Sequence, residues 1–222
     1  MKDSYIPQPV VESRRSFYLR LDGMYGEYDK PEMVENGIYD LTGEEVDGGW
    51  SLGGGIGYFF SQNVRGDVTV EKRFATEASG NLNNMASGIA GVRTFDLDST
   101  LVMFNLYYDF DNRSRFTPYI GAGLGVAYNK TKDGRVALTG GGTGTIAGDS
   151  RTDAAGALMA GVSVALLDRL DLDIGYRFLY LGKTTTGPLV ATSGGQTITS
   201  NDPTLENLHA HEIKFGLRYD FQ

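Results

Sequence analysis

Cysteine is absent from this 222-residue chain, so neither a disulfide framework nor a thiolate zinc site is available to hold it together. Proline is scarce at 6 residues, and the 31 glycines follow no Gly-X-Y period, which excludes a collagen-like rod. Positive charge is in deficit. The 20 Lys and Arg face 28 Asp and Glu, and a net charge of -8 argues against nonspecific nucleic-acid binding, which needs a basic surface to displace counterions from phosphates. Long hydrophobic runs are missing too: the most apolar stretch, Ala157 to Leu167, is broken by Gly161 and Ser163 and falls short of the roughly 18 residues a membrane helix requires. Residues 1–15 are polar, contain Pro7 and Pro9 and lack the apolar centre of an export signal. Met1 therefore reads either as a cytosolic start or as a start that follows removal of such a signal. At 41% hydrophobic residues the chain is not disordered, and its length suits one large all-β domain or two smaller ones.

What is present is alternation. In Val64 to Ala75, the apolar Val64, Val68, Val70 and Phe74 alternate with the polar Arg65, Asp67, Thr69, Glu71 and Arg73, and in a strand these sets face opposite ways. The same period of two predicts strands near 16–28, 49–60, 64–75, 99–110, 116–129, 154–166, 170–181 and 208–221. They are about twice the usual strand length, enough to cross a membrane at a tilt near 45°. The connections between them hold 20, 3, 23, 5, 24, 3 and 26 residues, long and short in strict alternation. That is the signature of an outer-membrane barrel, with short periplasmic turns, long outer loops and, for an even strand number, both termini periplasmic. The expected fold is therefore all-β: an eight-stranded antiparallel up-and-down transmembrane barrel over 16–222 with four long extracellular loops, preceded by a periplasmic tail over 1–15.

Composition assigns the faces. The polar phase carries Arg20, Asp22, Arg65, Asp67, Glu71, Arg73, Asp109, Asp171, Asp173, Arg177, Glu212, Lys214, Arg218 and Asp220, together with Gly53, Gly55, Gly57, Gly121, Gly123, Gly125, Gly161, Gly175 and Gly216. Charged side chains sharing a narrow interior with glycine suit the lumen of a small barrel, whose eight strands leave room only for side chains. The fourteen charges, six positive and eight negative, are expected to pair as a network that plugs the lumen. The opposite phase is aliphatic, with aromatics toward the strand ends, and Trp50, Tyr58, Tyr108, Phe110, Tyr128, Tyr180, Tyr219 and Phe221 are expected to form girdles at the lipid–water interfaces. A lipocalin-like soluble barrel is the competing reading.

The segments Pro118 to Tyr128, Leu167 to Gly182 and His211 to Phe221 resemble the small outer-membrane β-barrels of the opacity-protein and OmpA-like type, closest to the immunodominant surface barrels of alphaproteobacteria. Lys214, Gly216, Tyr219 and Phe221 match that family's C-terminal assembly signal, which implies recognition by the barrel-assembly machinery, although Gln222 extends one residue past the usual terminal aromatic. The resemblance implies roles in envelope integrity and surface interaction as adhesin or antigen; a small porin or haemin binder is the alternative. It also implies outer-membrane lipid and lipopolysaccharide as surroundings, contact of the tail from Lys2 to Arg15 with peptidoglycan, and host or surface ligands at the loops.

Candidate chemistry is thin. The only histidines, His209 and His211, share the outward phase of the last strand while Glu212 points the other way, which disfavours a catalytic triad of the kind used by lipid A-modifying barrel enzymes. A metal or haem at this pair is less favoured than an interfacial position, and no cofactor or metal is expected. The glycine-rich Thr139 to Ser150 lacks the Lys and Ser/Thr of a phosphate loop and reads as flexible linker. The four loops carry -6, -2, +1 and -1, which sum to the charge of the whole chain. The first holds Asp29, Glu32, Glu35, Asp40, Glu44, Glu45 and Asp47 against Lys30, a composition suited to weak Ca²⁺ binding or to plain solvation.

Overall fold

The computed structural model describes residues 16–29, 32–34, 39–84, 89–112, 114–200 and 204–221. The tail 1–15, part of the first loop, including Lys30 and Glu35, and Gln222 lie outside them. Among the described residues there are sixteen strands: β1 (Phe17–Tyr28), β2 (Glu32–Val34), β3 (Tyr39–Val46), β4 (Gly49–Phe59), β5 (Val64–Asn84), β6 (Ile89–Asp109), β7 (Phe116–Thr131), β8 (Gly134–Leu138), β9 (Thr143–Ile146), β10 (Ser150–Leu167), β11 (Leu170–Tyr180), β12 (Thr184–Thr185), β13 (Leu189–Ser193), β14 (Gln196–Ser200), β15 (Thr204–Glu206) and β16 (His209–Asp220). Eight of these close into a ring, β1-β4-β5-β6-β7-β10-β11-β16, with every neighbour antiparallel. The seam is sealed by β1 against β16, in register from Tyr18 opposite Asp220 to Tyr28 opposite Ala210. Closure leaves no free edge in the membrane, where an unpaired backbone group would cost several kcal/mol.

The alternation that specifies these strands also orients them. On β16 the buried residues are Ala210, Glu212, Lys214, Gly216, Arg218 and Asp220, and the exposed ones are His211, Ile213, Phe215, Leu217, Tyr219 and Phe221. A one-residue slip would turn every charge toward lipid, so the pattern fixes the register.

Above the barrel the described parts of the four long loops are largely strand. β5 and β6 each run 21 residues, about 70 Å of chain at the usual rise, so the second loop is mostly one tall hairpin. β3 pairs with the top of β5, and β8, β9, β13 and β14 extend the sheet from β6. A small sheet of β12, β15 and β2 lies beside them. Val46, Ala78, Phe95, Val136, Leu138, Ile146, Leu189, Ala191 and Leu205 form a buried core of this crown's own. The stretch read as linker holds β9, and its Gly140 and Gly141, both at positive φ, make the turn from β8, closed by Leu138 N donating to Gly142 O at 2.8 Å. Gly194 and Gly195 do the same in the two-residue turn of the β13–β14 hairpin, whose two positive φ angles only glycine tolerates well. The glycines here serve turn geometry and not looseness.

Candidate functional site

Two features distinguish this barrel from a plain membrane staple: the filled lumen and the crown above it. The lumen is built from the inward phase of all eight ring strands. Near the periplasmic end, Arg218 reaches Asp171 at 2.5 Å, Asp173 at 3.1 Å and Asp220 at 3.5 Å, while Arg65 reaches Asp109 at 2.9 Å and Asp173 at 3.6 Å. In the middle, Arg20 lies 2.7 Å from both Asp22 and Asp67, and Lys214 is 3.9 Å from Asp22. Toward the outer end, Glu71 and Glu212 bracket Arg73 and Arg177: Arg177 meets Glu71 at 2.8 Å and Glu212 at 2.5 Å, and Arg73 pairs with both carboxylates. These contacts join all fourteen charges of the polar phase, and all but Asp171 are buried.

Neutral side chains join the network. The Tyr18 hydroxyl donates to Asp67 at 3.0 Å, Arg20 to the Tyr107 oxygen at 3.0 Å, Asn105 to Asp67 at 2.8 Å and Arg73 to the Tyr28 oxygen at 3.0 Å. The Arg65 guanidinium lies 4.4 Å from the Tyr107 ring centre and 5.1 Å from that of Tyr119, so its charge is met by π faces as well as carboxylates. Tyr18, Tyr107, Tyr119 and Asn105 were not singled out from the sequence, although each sits in the polar phase of its strand. One side of the lumen is apolar: Leu97, Leu101, Met103, Met159, Leu179, Leu181 and Leu208 pack together there. Runs such as Leu101 to Phe104, apolar at consecutive positions, are the sequence trace of a wall buried inside and lipid-facing outside.

The lumen glycines make room for these side chains. A Cβ on Gly57 would meet the Tyr18 ring, one on Gly121 the Tyr107 ring, one on Gly175 the Tyr119 hydroxyl and one on Gly216 the Asp22 carboxylate.

On the outer wall, Trp50, Tyr108, Phe110, Tyr128, Tyr219 and Phe221 are exposed, while Tyr58 and Tyr180 are half-buried against Phe17 and His209. Of the four residues matching the assembly signal, Tyr219 and Phe221 stack edge to face on this wall, and Lys214 and Gly216 point inward. His209 stacks on Phe178. His211 joins the Tyr176 hydroxyl through Nδ1 at 2.5 Å and Asp29 through Nε2 at 3.1 Å. This carboxylate–imidazole–phenol chain is invisible in the sequence because its members are brought together only by the pairing of β11, β16 and β1. It ties the start of the first loop to the wall. Among the described residues no group of three or more His, Cys, Asp or Glu is arranged to hold a metal ion.

Comparison with known proteins agrees with this architecture. The chain is 30% identical over 167 residues to the outer membrane protein PagN of Salmonella typhimurium, covering 72% of this chain and 69% of that protein. It is 25% identical over 220 residues to a putative adhesin of Rickettsia felis, covering 95% and 90%. Among solved structures, Neisserial surface protein A superposes with a TM-score of 0.52 at 21% identity, over 92% of this chain and 97% of that one. OprG of Pseudomonas aeruginosa superposes with 0.53 at 16%, over 92% and 96%. These two carry the fold alone. The model of the outer membrane protein β-barrel domain matches residues 7–221, and the chain therefore belongs to that family of integral outer-membrane proteins.

Proposed function

We propose that this barrel is a non-enzymatic, non-conducting anchor whose task is to hold the crown above the membrane for contact with host or surface ligands, while its wall contributes to envelope integrity. The observation that carries this reading is the crown itself. Strands that continue well past the membrane and bury a second apolar core build a shaped surface, which a barrel serving only as a plug does not require. The printed name of the Rickettsia felis relative, a putative adhesin, supports the same reading. Lys214, Gly216, Tyr219 and Phe221 would act beforehand as the signal to the assembly machinery, and the tail 1–15 would meet peptidoglycan.

The direct test is a crown deletion. Replacing residues 76–97 by a two-residue turn leaves the membrane ring intact, so the variant should still run as a heat-modifiable band on unboiled gels. Binding of expressing cells to host cells or matrix should fall to the level of cells without the protein; undiminished binding would refute the reading.

The sealed lumen makes a second prediction. With fourteen charges paired across it, the protein in a planar lipid bilayer should show no steady open level, because ion passage requires breaking buried pairs. A large sustained conductance would favour the small-porin alternative.

A further inference from the structure

The crown's main sheet ends on two strands that pair on one side only among the described residues, β3 at one end and β14 at the other. An open edge offers unpaired N–H and C=O groups to any other strand, and proteins that avoid such pairing guard it with charge, proline, a bulge or brevity. β3 is guarded: it carries Asp40, Glu44 and Glu45, and a bulge breaks its ladder with β5 between Thr42 and Glu45. β14, Gln-Thr-Ile-Thr-Ser over residues 196–200, has neither charge nor proline nor a bulge. Neutrality extends well beyond the strand. From Thr184 to Asn201, and again from Val136 to Gly148, the chain holds no charged residue, so β9, β13 and β14 form a neutral flank on a protein of net charge -8.

The edge is also held in shape. Leu189 and Ala191 bury β13 in the crown core, and the Gly194–Gly195 turn fixes the register of the hairpin. In a hairpin closed by a two-residue turn the flanking Ser193 and Gln196 form a hydrogen-bonded pair, and bonding then alternates, so Gln196, Ile198 and Ser200 bond back to β13. The backbone groups of Thr197 and Thr199 are left facing the open side. Their side chains are exposed, and each ends a row across one sheet face: Thr143, Thr192 and Thr197 in one row, Thr145, Val190 and Thr199 in the next.

We infer that β14 pairs with β14 of a second copy of this chain, antiparallel about a two-fold axis through Ile198. In that register Thr197 of each copy stands opposite Thr199 of the other, and their N–H and C=O groups exchange four hydrogen bonds, the most this edge can make with itself. The rows ending in threonine then run on from one copy into the next, as directly opposed side-chain pairs. Neutrality selects the occupant. Two copies of a chain of -8 repel one another, and along this strand they meet with no charge opposite another, whereas a partner of opposite charge would find nothing here to recognise. The inference concerns the edge of the crown and not its host ligand, so it and the anchor reading fail separately.

The chain's lack of cysteine makes the test specific. T197C and T199C, each purified full length in detergent micelles and differently tagged, are mixed and oxidised. Mixed disulfides should form, because directly opposed residues lie within disulfide reach, while either variant alone should give roughly fivefold less, its two cysteines being offset along the strands. T197C/T199K mixed with T199C/T197K sets Lys opposite Lys and should cut the yield roughly fivefold; T197C/T199K mixed with T199C/T197E should restore it. Cysteine-free wild type, followed by light scattering, should pass from monomer to dimer as its concentration rises, and T197K/T199K should stay monomeric with its heat-modifiable band intact. Disulfide yields that ignore position and charge, or a wild type that stays monomeric throughout, would overturn the inference. A monomeric wild type whose binding to host cells is lost in T197K/T199K would overturn it in favour of a strand from another protein.

Discussion

Glu212→Ala should be the most damaging single charge removal in the lumen, lowering stability by about 3–5 kcal/mol, the range for breaking a buried ion pair from one side. The magnitude follows from what is left behind. Glu212 is buried, with Arg73 and Arg177 both on its carboxylate, and removing it leaves Glu71 to serve two guanidiniums in a space closed to water. The cost is therefore dominated by uncompensated positive charge, whose desolvation is no longer offset. Glu212→Gln keeps the volume and one hydrogen-bond acceptor and should lose about half as much. Urea unfolding in detergent micelles, followed by the heat-modifiable band or by tryptophan emission from Trp50, measures both. A Glu212→Ala midpoint within error of wild type would show that the network contributes nothing net. As a control, Lys72→Ala removes a surface pair on the outer wall, 2.7 Å from Asp98 but with the lysine half exposed, and should cost under about 1 kcal/mol.

Much of this interior was legible in the sequence, for a reason particular to barrels. In a closed sheet two residues of like phase share a compartment whatever their separation along the chain, so period two alone gathers Arg20, Asp173 and Arg218 inside one lumen. Which of them touch was not legible, because that depends on the stagger around the ring; Arg177 reaches Glu71 across 106 positions of sequence only through that stagger. The same limit hid the chain from Asp29 through His211 to Tyr176. The crown was misread for a different reason. In β5 the period of two breaks at Phe74 and Ala75, where a bulge between Arg73 and Thr76 reverses the phase, so the alternation read from Val64 ends there although β5 and β6 run on through Ala78 and Phe95. The glycines of the third loop reinforced the error, since composition does not distinguish a flexible linker from a turn that needs positive φ.

Glycine supplies the second large effect, and here one residue type should give opposite results at two positions. Gly125 faces the lumen on β7, and a Cβ there would strike the Val102 carbonyl oxygen and crowd the Met103 sulfur and backbone. The obstacle is largely backbone of the neighbouring strand, held by the β6–β7 ladder, so it does not swing aside as a side-chain tip would. Gly125→Val should therefore cost about 3 kcal/mol or more, at or beyond the top of the usual overpacking range, because relief requires parting two barrel strands. Gly23 lies on β1 with nothing within 4 Å of a built Cβ. Gly23→Ala removes backbone freedom from the unfolded chain and adds a methyl group that faces lipid, so it should raise stability by about 0.5 kcal/mol. Measured side by side as unfolding midpoints, the two variants should bracket wild type from below and above. If Gly125→Val matched wild type, the β6 and β7 backbones would lie farther apart than this structure has them, and the lumen would be wider and wetter than the packing around Met103 implies.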